Sequence, residues 1–138
     1  MAAREMDGLD AIVSTAIRDA GVDSAVVFVV RPGTSELELS AAAGIEGPPL
    51  DRLIEAVRLP THPITRSLAD PSASFDVVPI APGGPALRSH LPLLVNGPGG
   101  HVAVGVLAVA HGPSLDAAQR QLLLDLASRA AAAIDASA

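Results

Sequence analysis

An antiparallel α+β fold is predicted by three observations. β-Branched and period-2 runs come in pairs joined by short turns, with no crossover helix between the members of a pair. Apolar stripes at helical spacing open and close the chain. At 138 residues, the chain forms one domain spanning 1–138 by size and buries a core without disulfides or metal.

Leu9, Ile12, Val13, Ala16, Ile17 and Ala20 recur at i, i+3, i+4, i+7, i+8 and i+11, which is one face of a helix. Gly21 follows at once and suits the left-handed residue that ends such a helix. Ser24 to Val30 is a β-branched run stopped by the turn Arg31-Pro32-Gly33-Thr34-Ser35. Glu36 to Ala41 then alternates polar and apolar, so the two runs read as a hairpin whose second strand has one buried face. Leu50, Leu53, Ile54 and Val57 make a short amphipathic helix ended by Pro60. Pro63 suits a first helical turn and opens a second short helix over 64–69.

Phe75 to Ile80 is a short strand that Pro79 confines to a sheet edge. The run around Leu91 to Val95 meets the run His101 to His111 across Asn96-Gly97-Pro98-Gly99-Gly100, a second hairpin. Asp116-Ala117-Ala118-Gln119 has the form of a capping box. It opens a helix of about 20 residues, longer than most globular helices, with Leu122, Leu123, Leu126, Ala127, Ala130 and Ile134 as its buried stripe. The first and last helices each have an apolar stripe to hide. Lying side by side on one sheet face hides both.

Composition narrows the function. The hydrophobic share is 49%, yet aromatics are 1%, with two Phe and no Trp or Tyr. The core is therefore aliphatic and rich in Ala, held by many small contacts. Mean hydropathy is +0.43, but the longest apolar run, Val102 to Ala110, falls short of the roughly 20 residues that a bilayer span needs. The acidic start Met1 to Asp7 is unlike a secretion signal, so the expected location is cytoplasmic, with no membrane partner. Net charge is −6, and the bases are nine scattered Arg. That pattern disfavours a phosphate backbone, whose binding needs concentrated positive charge, so no nucleic-acid partner is expected. With no cysteine, there is no disulfide, thiolate zinc site, redox dithiol or cysteine nucleophile.

The chain resembles a GAF domain over nearly its whole length. The residues that carry the likeness are the stripe Leu9 to Ala20, the strand Ala25 to Val30, and Leu91-Pro92-Leu93. Val104-Gly105-Val106-Leu107 and Leu123-Leu124-Asp125-Leu126-Ala127 with Ala131 and Ile134 complete them. The resemblance implies a profilin-like antiparallel sheet of five to six strands. The N- and C-terminal helices would pack on one face and short helices over the other, with a ligand pocket beneath the short helices. It implies a bacterial signal-transduction sensor, dimeric through its terminal helices. The departures are informative. GAF domains that attach bilins, or that reduce free methionine sulfoxide, use a Cys that this chain lacks. The cyclic-nucleotide signature is also missing: there is no Lys, and Phe75-Asp76 is no substitute for it.

The candidate ligand-binding set is His62, Arg66, Phe75, Arg88 and His90. A guanidinium grips a carboxylate or phosphate in two places, which makes Arg66 and Arg88 anchors for an anion. Their plainer alternatives are pairing with Asp70 or Asp76, or exposure. His90 either lines the pocket or sits at the surface, and His62 is either a ligand contact or a cap neighbour of Pro63. His101 and His111 bound one strand roughly 33 Å apart at normal rise, too far to share a metal, and read as solvent-facing strand ends. Haem on a single His needs large apolar and aromatic walls that two Phe do not supply, so no metal and no cofactor are expected. Ser89 and His90 are strand neighbours and point to opposite faces. No nucleophile elbow and no phosphate-binding loop is present, so no enzyme activity is expected.

The expected function is a non-catalytic sensory or regulatory module that binds a small molecule. It would act as a homodimer through Leu9, Val13, Ala130 and Ile134. It signals through a partner such as a kinase or regulator, or, as a fragment, through the output half of a larger sensor. The alternative is a dimerisation or protein-interaction module of the same fold with no ligand.

Overall fold

The computed structural model describes residues 2–31, 33–34, 36–58, 63–66, 68, 73–75, 87–97, 99–112 and 114–137. Their order is α1 (Ala2–Ala20), β1 (Ser24–Val30), β2 (Leu37–Ala43), α2 (Pro48–Ala56), α3 (Pro63–Arg66), β3 (Leu87–Gly97), β4 (Gly100–Ala110) and α4 (Ala117–Ser137). The strands form a four-stranded sheet in the order β2-β1-β4-β3, and each neighbouring pair is antiparallel. α1 lies over β1 and β2, α4 lies over β3 and β4, and the two helices pack against each other. The expected layering is thus realised: terminal helices on one face, which we call the helix face, and α2 and α3 on the distal face.

Local chemistry sets the boundaries. Gly21 ends α1 at φ 70°, a conformation that L side chains avoid. The capping box forms as expected: the Asp116 amide donates to Gln119 Oε1 and the Gln119 amide donates to Asp116 Oδ1, each at 2.8 Å. Gln119 does more than cap, because its Nε2 also donates to the Ala20 carbonyl at 2.8 Å. That bond ties the start of α4 to the orphan carbonyls at the end of α1.

Alternation along the strands separates two cores. Ala25 and Val27 of β1, Ala41 of β2, Leu91 and Leu93 of β3, and Leu107 and Val109 of β4 join the stripes of α1 and α4. Val26, Phe28, Val106 and Ala108 point the other way, against Leu53, Val57 and Ile64 of the short helices. β2 departs from the simple alternation expected of it. Its register shifts opposite Val27/Phe28, so Leu37 and Leu39 face the distal core while Ala41 and Ala43 face the helices. A bulge of this kind re-aims one half of a strand.

Of the five to six strands expected, four lie among the described residues. Beside them, Ser74 forms an isolated bridge to His90 on the outer edge of β3. The rest of the strand expected over 75–80 lies outside the described residues, as do the loop at 82–85 and Pro60. The bridge explains a proline inside a strand. His90 exchanges backbone bonds with Ser74 at 2.8 and 2.9 Å, so its N–H points away from β4. The nitrogen of Pro92, two residues on, points the same way, and no ladder bond to β4 is lost. Among the described residues, no helix is long and apolar enough to cross a membrane.

Candidate functional site

The distal face is where the resemblance places a pocket, and α2 and α3 do cover it. α2 starts on Pro48-Pro49 after Gly47 at φ 65°, and it buries Leu53. α3 buries Ile64 completely, and its Thr65 hydroxyl donates to the Val57 carbonyl at 2.6 Å, which fixes the elbow between the two helices. Among the described residues, the core between these helices and the sheet is built from side chains of both. Phe28 and Ile64 are fully buried there, with Leu53 and Val57 packed beside them.

The candidate ligand residues are dispersed rather than gathered. His90 is buried at 3% exposure and pairs with Ala108, which places it on the distal face, since directly opposed residues share a side. Arg66 is exposed on α3. Phe75 lies on the other side of the sheet, packed against the helix-face core. The Arg120 guanidinium of α4 sits 5.0 Å from its ring centroid, a cation–π contact. Arg88 donates to the Gly112 carbonyl just past the end of β4, and Asp70 and Asp76, the acidic partners considered for it, lie outside the described residues. His62 lies outside the described residues. The structure therefore does not bring Phe75 and His90 into one site.

Two expectations are corrected. His101 is exposed as a strand end should be, but His111 is buried at 3%. Its Nε2 lies 2.8 Å from Ser89 Oγ, itself fully buried. Ser89 thus meets His111 across the hairpin rather than its neighbour His90. This contact joins β3 to the chain just past the end of β4. The second correction concerns the residues assigned to a dimer contact. Leu9, Val13 and Ala130 are 4%, 1% and 0% exposed within a single chain, because the stripes of α1 and α4 are already consumed against the sheet. Only Ile134 of that set is half-buried.

Sequence reasoning overlooked a cleft of about 460 Å³ between the β1–β2 hairpin tip and the α2–α3 elbow. Its lining includes Arg31, Glu36, Leu37, Glu38, Arg58 and Thr65. The signal in the sequence was the alternation of Glu36 and Glu38 about Leu37, opposite Arg31. What the sequence did not show was that Val57, Arg58 and Thr65 would border the same cleft. Among the described residues, no group of three or more His, Asp or Glu is placed to hold a metal ion.

With this geometry established, comparison defines the class: the fold is that of a GAF domain. It matches the GAF domain of a phosphoenolpyruvate-protein phosphotransferase from Acinetobacter at TM-score 0.72 and 17% identity, over 96% of this chain and 83% of that one. It matches the second GAF domain of DevS from Mycobacterium smegmatis at TM-score 0.68 and 21% identity, over 96% and 94%. It also matches a type II free methionine-R-sulfoxide reductase from Thermoplasma acidophilum at TM-score 0.72 and 12% identity, over 98% and 95%. No protein-family model matches the chain, and no curated protein matches it by sequence. At these identities the likeness establishes the fold alone.

Proposed function

We propose that this chain is a non-catalytic sensory or regulatory module that works in the cytoplasm. It binds a small molecule and passes the event to a partner or output domain such as a kinase or regulator. The observation that carries this reading is the division of labour across the sheet. Two long helices close one face, while the other presents short helices bordering a cleft of about 460 Å³ with both signs of charge. Its fold neighbours, among them part of a methyl-accepting chemotaxis protein and the phosphotransferase and DevS domains, support a signalling role.

Thermal unfolding of the full chain across a library of metabolites tests it. A ligand that binds only the native state adds RT ln(1 + [L]/Kd), so one compound at a hundredfold excess over Kd stabilises by about 2.7 kcal/mol and raises Tm by several degrees. A library in which no compound raises Tm overturns the sensor reading.

The burial of Phe28 and Ile64 beneath α2 and α3 among the described residues favours a second reading, a GAF-fold dimerisation module without ligand. It predicts a melting point that rises with protein concentration and responds to no metabolite. Glu at Ala130 would charge the chain's own core, so Ile134→Glu is the usable probe of a homodimer. Its elution should shift to that of a monomer, and an unchanged volume with an intact fold removes α4 from the contact.

A further inference from the structure

The start of α4 is held from three directions. Its own capping box closes the first turn. Gln119 Nε2 donates to the Ala20 carbonyl and ties that turn to the end of α1. The guanidinium of Arg120, the next residue, lies 5.0 Å from the Phe75 ring centroid. The first two contacts stay within the layer of terminal helices. The third comes from a segment that also reaches the distal face.

Its described residues touch both cores. Ile64 of α3 is fully buried in the distal core. The Leu68 amide donates to the Thr65 carbonyl at 3.1 Å, and the Leu68 side chain packs on the same core. Ser74 exchanges two backbone bonds with His90 at the outer edge of β3. In an extended chain, successive side chains point to opposite faces. Ser74 opposes His90, whose side chain is on the distal face, so Phe75 turns to the helix face and packs on the core there.

The contacts that hold Ser74 and Phe75 are modest beside those of the central strands. Among the described residues, the bridge to His90 is a single pair rather than a ladder. Phe75 is half-buried, and a cation–π contact on a half-exposed ring contributes little. Val27 of β1 and Leu107 of β4, by contrast, are fully buried and paired on both sides of their strands. Elements with few buried contacts open locally at less free energy than the whole fold. Docked and undocked forms of this stretch are two states that both faces bias, the distal core through α3 and the helix layer through Arg120. A two-state element biased from two sides is the physical requirement for coupling them.

Taking the sensor reading as its premise, we propose that Ser74–Phe75 is a strap that couples the distal cover to α4. A change in the packing of α3 shifts the strap between its docked and undocked forms. The shift reaches α4 at Arg120, beside the bond that joins α4 to α1. The start of the helix pair is thus where an event on the distal face becomes a change on the other side of the sheet.

Amide NMR of the full chain tests the strap without a ligand, with Ile64→Val as the disturbance of the distal core. The Ser74 and His90 amides, which donate the two bridge bonds, should exchange with solvent together and at least tenfold faster than those of Val27 and Leu107. Ile64→Val should shift the Gln121, Leu122 and Leu123 amide resonances. In a Phe75→Leu background, which keeps an apolar side chain but removes the ring, those shifts should disappear while the Val26 and Phe28 amides still respond. Arg120→Met removes the cation, leaves the ring, and should abolish the same response, so it serves where Phe75→Leu loses its fold. Three outcomes overturn the strap: bridge amides that exchange only with the core, α4 amides that ignore Ile64→Val, or α4 shifts that survive loss of the clasp. Any of these in a chain that some metabolite stabilises ends the strap and keeps the sensor reading. If no metabolite stabilises the chain, the sensor reading ends, and the same spectra still decide whether the two faces are coupled.

Discussion

β1 and β4 are shared by two cores that are closed in different ways. On the helix face, long helices lie over the sheet, and their contribution to the shared core includes the small residues Ala16, Ala20, Ala127, Ala130 and Ala131. On the distal face the covering elements are helices of nine and four residues, and large side chains, above all Phe28 and Ile64, fill the gap. The difference teaches how a chain with 1% aromatic residues seals both sides of a sheet. Small residues suffice where helices are long enough to multiply contacts. Short helices need bulk reaching up from the strands.

Truncating one side chain in each core measures this contrast directly. Phe28→Ala should lose about 3–5 kcal/mol and Leu126→Ala about 2–5 kcal/mol in denaturant unfolding, because both side chains are 1% exposed or less and leave cavities that rigid neighbours cannot fill. A loss below about 1 kcal/mol for Phe28→Ala would mean that the distal interior is loosely packed, and the contrast between the faces would have to be redrawn around a ligand space.

A smaller effect is expected where the two faces meet in the backbone. A Cβ on Gly105 would collide with the Phe28 carbonyl oxygen and press Leu93 Cδ1 at 3.2 Å. Gly105→Ala should destabilise by about 1–3 kcal/mol through overpacking, and unchanged stability would show that β1 and β4 can separate at this point. The smallest effect belongs to the helix face alone. Asp116→Ala removes the cap of α4 and should lower stability by about 1 kcal/mol, read as a shift in the urea midpoint at constant m. No shift would mean that the bond from Gln119 to the end of α1 holds the helix start unaided.

Individual elements were well anticipated wherever one local signal decided them. α1 ends at Gly21, β1 spans Ser24–Val30, and α4 begins behind its capping box, all as the residues require. Misreadings arose where register decided the outcome. His111 was read as a solvent-facing strand end, but the pairing of β3 with β4, shifted between Leu87 and Ser89, brings the buried Ser89 to it. β2 was read as one alternating strand, and its bulge divides it between two cores. Leu9, Val13 and Ala130 were recognised as apolar and helical, yet spacing cannot say whether a stripe meets its own sheet or another molecule.

Periodicity, turn residues and caps were therefore enough to establish an antiparallel α+β domain with paired terminal helices, because those signals act between residues a few positions apart. The assignment of faces, the burial of His90 and His111, the placing of Phe75 under Arg120 and the cleft between hairpin and elbow came from contacts between distant segments. One bulge reverses which side a residue faces. One helix elbow determines which exposed charges become neighbours. Neither leaves a periodic mark along the chain.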